Sequence, residues 1–223
     1  IIATLFTAIF TILCFPWKNG KAPRTVQVLW ARSLLWFLLV PIKVTGRENV
    51  NPKQSYVFVS NHQSFLDAFA VYGWLPNNFK WLMKKEIRKV PFVGTACKVA
   101  GHIFVDRSNP RAALQSMELI KGELVDGVST VIFPEGTRSK DLKVHRFHKG
   151  AFYLAEKYKV DIIPAVLYGS GMIFSKVQPQ YVAPGIMQMD ILPRIAPEDN
   201  TYGATYQERT KNVRNYLNSY LQT

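Results

Sequence analysis

From residue 56 onward, short runs rich in Val, Ile and Phe alternate with stretches of helical period. This alternation restricts the fold more than any single residue does. The pattern predicts strands over Tyr56–Ser60, Phe79–Met83, His102–Asp106, Thr130–Pro134, Asp161–Leu167 and Met187–Leu192. Between them it predicts helices over Phe65–Tyr72, Phe92–Val99, Pro110–Val125, Lys149–Tyr158 and Tyr206–Leu221. Pro110, just after Asn109, suits a first helical turn. Strands and helices in this order argue for an α/β fold with a mainly parallel central sheet flanked by helices. Pro164 inside an apolar run places that strand near an edge or a bulge.

The first 47 residues read differently. They contain no Asp or Glu but carry Lys18, Lys21, Arg24, Arg32, Lys43 and Arg47. Two apolar runs, Ile1–Trp17 and Val26–Val40, flank a short basic linker that carries Gly20 and Pro23. Each run is about 15 residues, or roughly 22 Å of helix, short of the ~30 Å hydrocarbon core. Trp17, Trp30 and Trp36 suit an interfacial belt. Residues 1–44 are therefore expected to form a hydrophobic, basic two-helix hairpin that dips into one leaflet, with its charges at anionic headgroups. A pair of buried core helices is the alternative.

Lys and Arg outnumber Asp and Glu by 28 to 15, giving a net charge of +13 and calling for an anionic partner. Nucleic acid fits poorly, because aromatic residues are not interleaved with the basic patches as stacking platforms. No helix-turn-helix or zinc pattern occurs. Cys14 and Cys97 cannot build a disulfide scaffold.

Ligands of open α/β sheets bind beyond the carboxyl ends of strands. Here those ends are polar. The first predicted strand runs into Asn61-His62-Gln63-Ser64-Phe65-Leu66-Asp67. Five residues on one helix would set His62 and Asp67 about 140° apart. A strand ending at His62 with a helix beginning near Ser64 would bring them together. Asp67 would then fix the imidazole tautomer and leave the other nitrogen as a general base. Ser64-x-x-Asp67 is equally a capping box that starts a helix. A second predicted strand breaks at Pro134 into Glu135-Gly136-Thr137-Arg138-Ser139, where Gly136 permits close approach and Arg138 offers a fork for phosphate oxygens. A third ends at Asp106-Arg107. His145 and His148 read as surface or phosphate-side residues and His102 as structural, with no metal site.

Taken together, Asn61-His62-x4-Asp67, Gly101-x-x-Phe104-Val105-Asp106-Arg107, Phe133-Pro134-Glu135-Gly136-Thr137-Arg138-Ser139 and Ile162-Ile163-Pro164-Ala165 resemble, in order, the four sequence blocks of the glycerolipid acyltransferases. They are most similar to the 1-acyl-glycerol-3-phosphate acyltransferase branch. The resemblance implies an α/β acyltransferase domain over residues 45–223. It implies acyl transfer from a thioester, acyl-CoA or acyl-ACP, to the 2-hydroxyl of lysophosphatidate, with no cofactor. His62 would be the base and Asp67 its partner. Arg107 and Arg138 would bind the acceptor phosphate, with Glu135, Gly136, Thr137 and Lys84 shaping that pocket. Acyl carrier protein and anionic lipids are expected partners. The expected location is a membrane, peripheral or monotopic, with the active site facing the cytoplasm. A related lysolipid or glycerol-3-phosphate acyltransferase, a thioesterase and a non-catalytic basic membrane protein are the competing readings.

Overall fold

The run Val57–Ser60 is buried at every residue, and a strand hidden on both faces belongs at the middle of a covered sheet. The computed structural model describes residues 21–106, 109–122, 124, 126–178 and 181–222. Among them are the strands β1 (Ile42–Thr45), β2 (Val57–Ser60), β3 (Phe79–Lys84), β4 (Ile103–Val105), β5 (Ser129–Ile132), β6 (Ile162–Tyr168) and β7 (Met187–Ile191). They form one sheet in the order β1-β7-β6-β2-β5-β3-β4. All neighbours are parallel except β6 and β7, where Ala165 faces Ile191 in antiparallel register. The helices are α1 (Lys21–Phe37), α2 (Leu66–Trp74), α3 (Val93–Val99), α4 (Pro110–Glu118), α5 (Gly150–Tyr158), the one-turn α6 (Ser170–Ile173) and α7 (Tyr206–Gln222).

Side chains of β2 alternate between two cores. Phe58 joins α1 and α2 on one face, with Leu35, Phe69 and Trp81. Val57 and Val59 join α5 and α7 on the other, with Phe152, Leu154, Val213 and Leu217. Each such residue, fully buried, contributes about 1.5–3 kcal/mol.

Sequence and structure differ at instructive places. The predicted helix over Pro110–Val125 ends at Glu118 and tightens into a 3₁₀ turn at Leu119–Gly122. β1 lies where the sequence gives only the tail of a hydrophobic hairpin, and it pairs with β7 through Ile42 and Met187. Pro164 is not at an edge, since β6 has β2 and β7 on its two sides. The Ile162 N–H points toward Ile195, so the Pro164 nitrogen, two residues on, faces the same side. There residues 192–195 bow out between the β7 ladder and the Ile162–Ile195 bridge, and a missing donor is tolerated.

The first apolar run, Ile1–Trp17, lies outside the described residues. The second is α1, which starts earlier than expected, at Lys21, and packs on α2. The Trp30 ring meets Phe69 edge to face at 4.8 Å, and Ala31 and Leu35 are buried. Two of the N-terminal cations, half-buried Arg24 and exposed Arg32, reach main-chain carbonyls, a use their sequence position does not suggest. Arg24 donates to the Leu75 and Pro76 carbonyls at 3.0 and 2.6 Å, and Arg32 to Gly73 at 2.8 Å. They serve the acceptor-rich carboxyl end of α2.

Candidate active site

β2 and β5 are parallel neighbours, with Val59 opposite Ile132. They leave the sheet side by side, β2 into Asn61-His62 and β5 into Phe133–Ser139. Asn61 anchors the first exit. Its amide donates to the Leu167 carbonyl and accepts the Leu167 N–H, both at 2.8 Å, tying the loop to β6.

His62 Nδ1 lies 2.8 Å from Asp67 Oδ2, and the carboxylate is fully buried. The same oxygen accepts the Gln63 and Ser64 backbone N–H groups at 2.7 and 2.8 Å. The sequence offered a base–carboxylate pair or a capping box; one carboxylate does both. An acceptor on Nδ1 fixes the tautomer with Nδ1–H, leaving Nε2 as the basic nitrogen. The imidazole lies flat on Phe133, with centroids 4.0 Å apart and planes 5° from parallel.

Gly136 adopts φ +73°, so the second loop turns back sharply where a side chain would strain it. Phe133 accepts the Gly136 N–H at 3.0 Å. Beyond it, Thr137 is exposed and Arg138 half-buried. Lys176 donates to Thr137 Oγ1 and to the Arg138 carbonyl, both at 2.8 Å. Lys176 was not picked out from the sequence; it sits in a short polar stretch after α6 with no local motif to mark it. Lys84, at the end of β3, is exposed and 3.6 Å from Glu86, whereas Lys85 pairs with Asp106 at 2.6 Å. Arg107 lies outside the described residues.

Glu135 turns away from this opening. It is 6% exposed, and its oxygens accept the N–H groups of His62 (2.8 Å) and His145 (2.9 Å). Burial pushes its carboxyl pKa up, against the pull of these bonds. His145 Nε2 meets Asp141 at 2.8 Å, a carboxylate partner the sequence reading had not given it. The Ser139 hydroxyl and this imidazole hold the Asp141 pKa down to about 2.

His62, Lys84 and Gly136–Arg138 line a cavity of about 490 Å³. Its walls are largely apolar: buried Phe69, Trp81, Ala96 and Leu82 and half-buried Trp30 among them. A largely apolar space with a few polar groups in its lining suits a hydrocarbon-bearing ligand. Also in the lining, the Tyr72 hydroxyl meets His102 Nε2 at 2.8 Å. The Trp81 backbone N–H donates to the other ring nitrogen at 3.3 Å. Burial drops the His102 pKa to about 3, so this imidazole stays neutral and serves the wall. That α1 contributes Trp30 and Gln27 to the cavity was not legible in the sequence.

The acyltransferase family model matches residues 41–168, more than half of the chain. A 1-acyl-sn-glycerol-3-phosphate acyltransferase of Chlamydomonas reinhardtii is 33% identical over 85% of this chain and 57% of its own length. The alpha form of that enzyme from Mus musculus is 36% identical over 88% of this chain and 70% of its own. This chain thus spans a little over half of the algal relative and about two thirds of the mouse one. The crystal structure of the 1-acyl-sn-glycerophosphate (LPA) acyltransferase PlsC from Thermotoga maritima superposes with a TM-score of 0.84 at 23% identity, covering 99% of this chain and 89% of that one. That likeness establishes the shared α/β fold. With the family model and relatives of this identity in agreement, the chain belongs to the acyltransferase family, among the 1-acyl-sn-glycerol-3-phosphate acyltransferases.

Proposed function

We propose that this chain moves a fatty acyl group from an acyl thioester, acyl-CoA or acyl-ACP, to the 2-hydroxyl of 1-acyl-glycerol-3-phosphate. The observation that carries the reading is the sharing of one apolar cavity by a carboxylate-held imidazole and Arg138. His62 Nε2 takes the hydroxyl proton as the oxygen attacks the thioester carbonyl. The C–S bond then breaks, and the thiolate recovers the proton from the imidazolium. The products are phosphatidate and free thiol, with no acyl-enzyme between them. Asp67 supports the imidazolium; Arg138, aided by Lys84 and Arg107, holds the acceptor phosphate; the apolar walls take hydrocarbon.

A coupled assay tests this. Acyl thioester is supplied with and without lysophosphatidate while free thiol and phosphatidate are read. Thiol release that ignores the acceptor would mean a thioesterase and end the transferase reading. Arg138→Ala should lose one charge-assisted contact, about 1.5–3 kcal/mol. This appears as a roughly 10–150-fold rise in acceptor KM, with thioester KM little changed. Equal activity on phosphorylated and unphosphorylated acceptors in the parent chain would count against Arg138.

The substrate is a membrane lipid, and the surface near the cavity suits a bilayer. No described helix is long and apolar enough to cross a membrane. At the end of α1, Trp36, Phe37 and Leu39 are 79, 80 and 83% exposed. Pro41 accepts the Met187 N–H at 2.9 Å, which sets Ile186, also exposed, beside that end. We assign residues 1–44 to membrane association and 45–223 to acyl transfer, with α1 also walling the cavity and Ile42–Val44 also part of β1; the protein is peripheral or monotopic, with its site facing the cytoplasm. Deleting α1 would remove Ala31 and Leu35 from the core, so point changes are the better test. Trp36→Asp with Ile186→Asp should lower partition onto vesicles containing anionic lipid by at least about tenfold. The melting temperature should hold. Unchanged partition would remove this patch from the membrane face.

A further inference from the structure

The main chain of His62 has two polar groups, and one loop holds both. Glu135 Oε1 accepts its N–H at 2.8 Å. Its carbonyl accepts the Ser139 N–H at 2.8 Å. The peptide carrying the imidazole is gripped from both sides by the segment that also presents Arg138. The second Glu135 oxygen takes the His145 N–H at 2.9 Å, so the carboxylate bridges two loops 73 and 10 residues away in sequence. A carboxylate 6% exposed and absent from the cavity lining is badly placed for an acceptor phosphate, which it would in any case repel.

We infer that Glu135 is a positioning residue that fixes the His62 peptide, and through it the imidazole, and that it does not bind the acceptor. Asp67 fixes the ring about Nδ1, but the ring's distance from the acceptor hydroxyl depends on where the main chain stands. Two part-buried backbone N–H donors call for two acceptors, and a carboxylate supplies both from one side chain. Glutamine cannot. Its amide offers one oxygen and one NH₂, so either the His62 or the His145 N–H faces a donor. A shift of about 1 Å at a reacting group can cost about 10²-fold in rate.

The inference rests on His62 as the base, so the test measures both in one series on the full chain in lipid–detergent micelles. The variants are His62→Ala, Glu135→Gln and the double variant, assayed with 1-acyl-glycerol-3-phosphate and an acyl thioester. Glu135→Gln should lower kcat by about 10–100-fold while acceptor KM stays within about threefold. In the double variant it should remove no more than about a further twofold beyond His62→Ala, because it acts through that residue. A raised KM with kcat intact would make Glu135 part of the phosphate site and overturn the inference. So would losses that multiply. Full activity in His62→Ala would end the base reading and the positioning role with it. An impaired His62→Ala beside an unimpaired Glu135→Gln would end the positioning role alone. Should Glu135→Gln show no cooperative melt, Glu135→Asp takes the same test. Its charge is kept, but its arm is one methylene short of spanning both loops, and the same split of kcat from KM is expected.

Discussion

His62→Ala is expected to lower turnover by about 10²–10⁴-fold, the range for loss of a positioned general base. The fold should survive. His62 is partly exposed, and its ring lies flat on Phe133. Without the imidazole, Asp67 Oδ2 still accepts the Gln63 and Ser64 N–H groups, so no buried charge is stranded. Melting should shift by only a few degrees. Binding of the acceptor, which depends on the neighbouring loop, should hold, so the loss should fall on kcat. The check is phosphatidate formation under saturating thioester, with circular dichroism on the same preparation. A variant that turns over at the parental rate would leave the Nε2 of this imidazole without a role, and the chemistry would need another base in the cavity.

Much of this site was readable because its parts are close in sequence. His62 and Asp67 are five apart, and the strand end before them and the helix after them both follow from local pattern. The loop from Pro134 to Ser139 announces itself by Pro, Gly and Arg after an apolar run. The four-residue strand β1 does not. Ile42-Lys43-Val44-Thr45 is too short for a periodic signal, and its partner β7 is some 145 residues away. Strand order is equally hidden, for nothing local states that β6 sits between β2 and β7 or that β7 runs against it. Glu135 falls in the same gap. The motif makes it conspicuous, but its choice of two backbone N–H groups over the cavity is a matter of tertiary placement. Arg24 and Arg32 are the converse case. Their neighbours suggested headgroups, while the carboxyl end of α2 offered three carbonyls within reach.

Asp67 carries the second large effect, and its two replacements should separate. Three donors converge on Oδ2, from His62, Gln63 and Ser64, while Oδ1 is buried without a partner. Asparagine therefore has one good orientation. Its oxygen must take the Oδ2 place, since an NH₂ there would face three N–H groups. Its NH₂ then sits in the empty Oδ1 place, at about 1–3 kcal/mol for a buried unsatisfied donor. In that orientation His62 keeps its proton on Nδ1, and what is lost is the charge that steadies the imidazolium. Asp67→Asn should cost about 10²-fold in kcat and keep the tautomer, visible by nitrogen-15 NMR of the ring. Asp67→Ala removes the acceptor itself, freeing the ring and leaving the Gln63 and Ser64 N–H groups unmet. It should cost about 10³–10⁴-fold, as loss of a base-orienting carboxylate can. The two buried donors add about 2–6 kcal/mol of destabilisation. If Asp67→Asn instead matches Asp67→Ala in rate and shows the proton moved to Nε2, the amide has turned over. The ring would then outrank the two backbone donors in setting its orientation. If neither change slows the reaction, the carboxylate is a helix cap alone, and the pairing of His62 with Asp67 has no part in the chemistry.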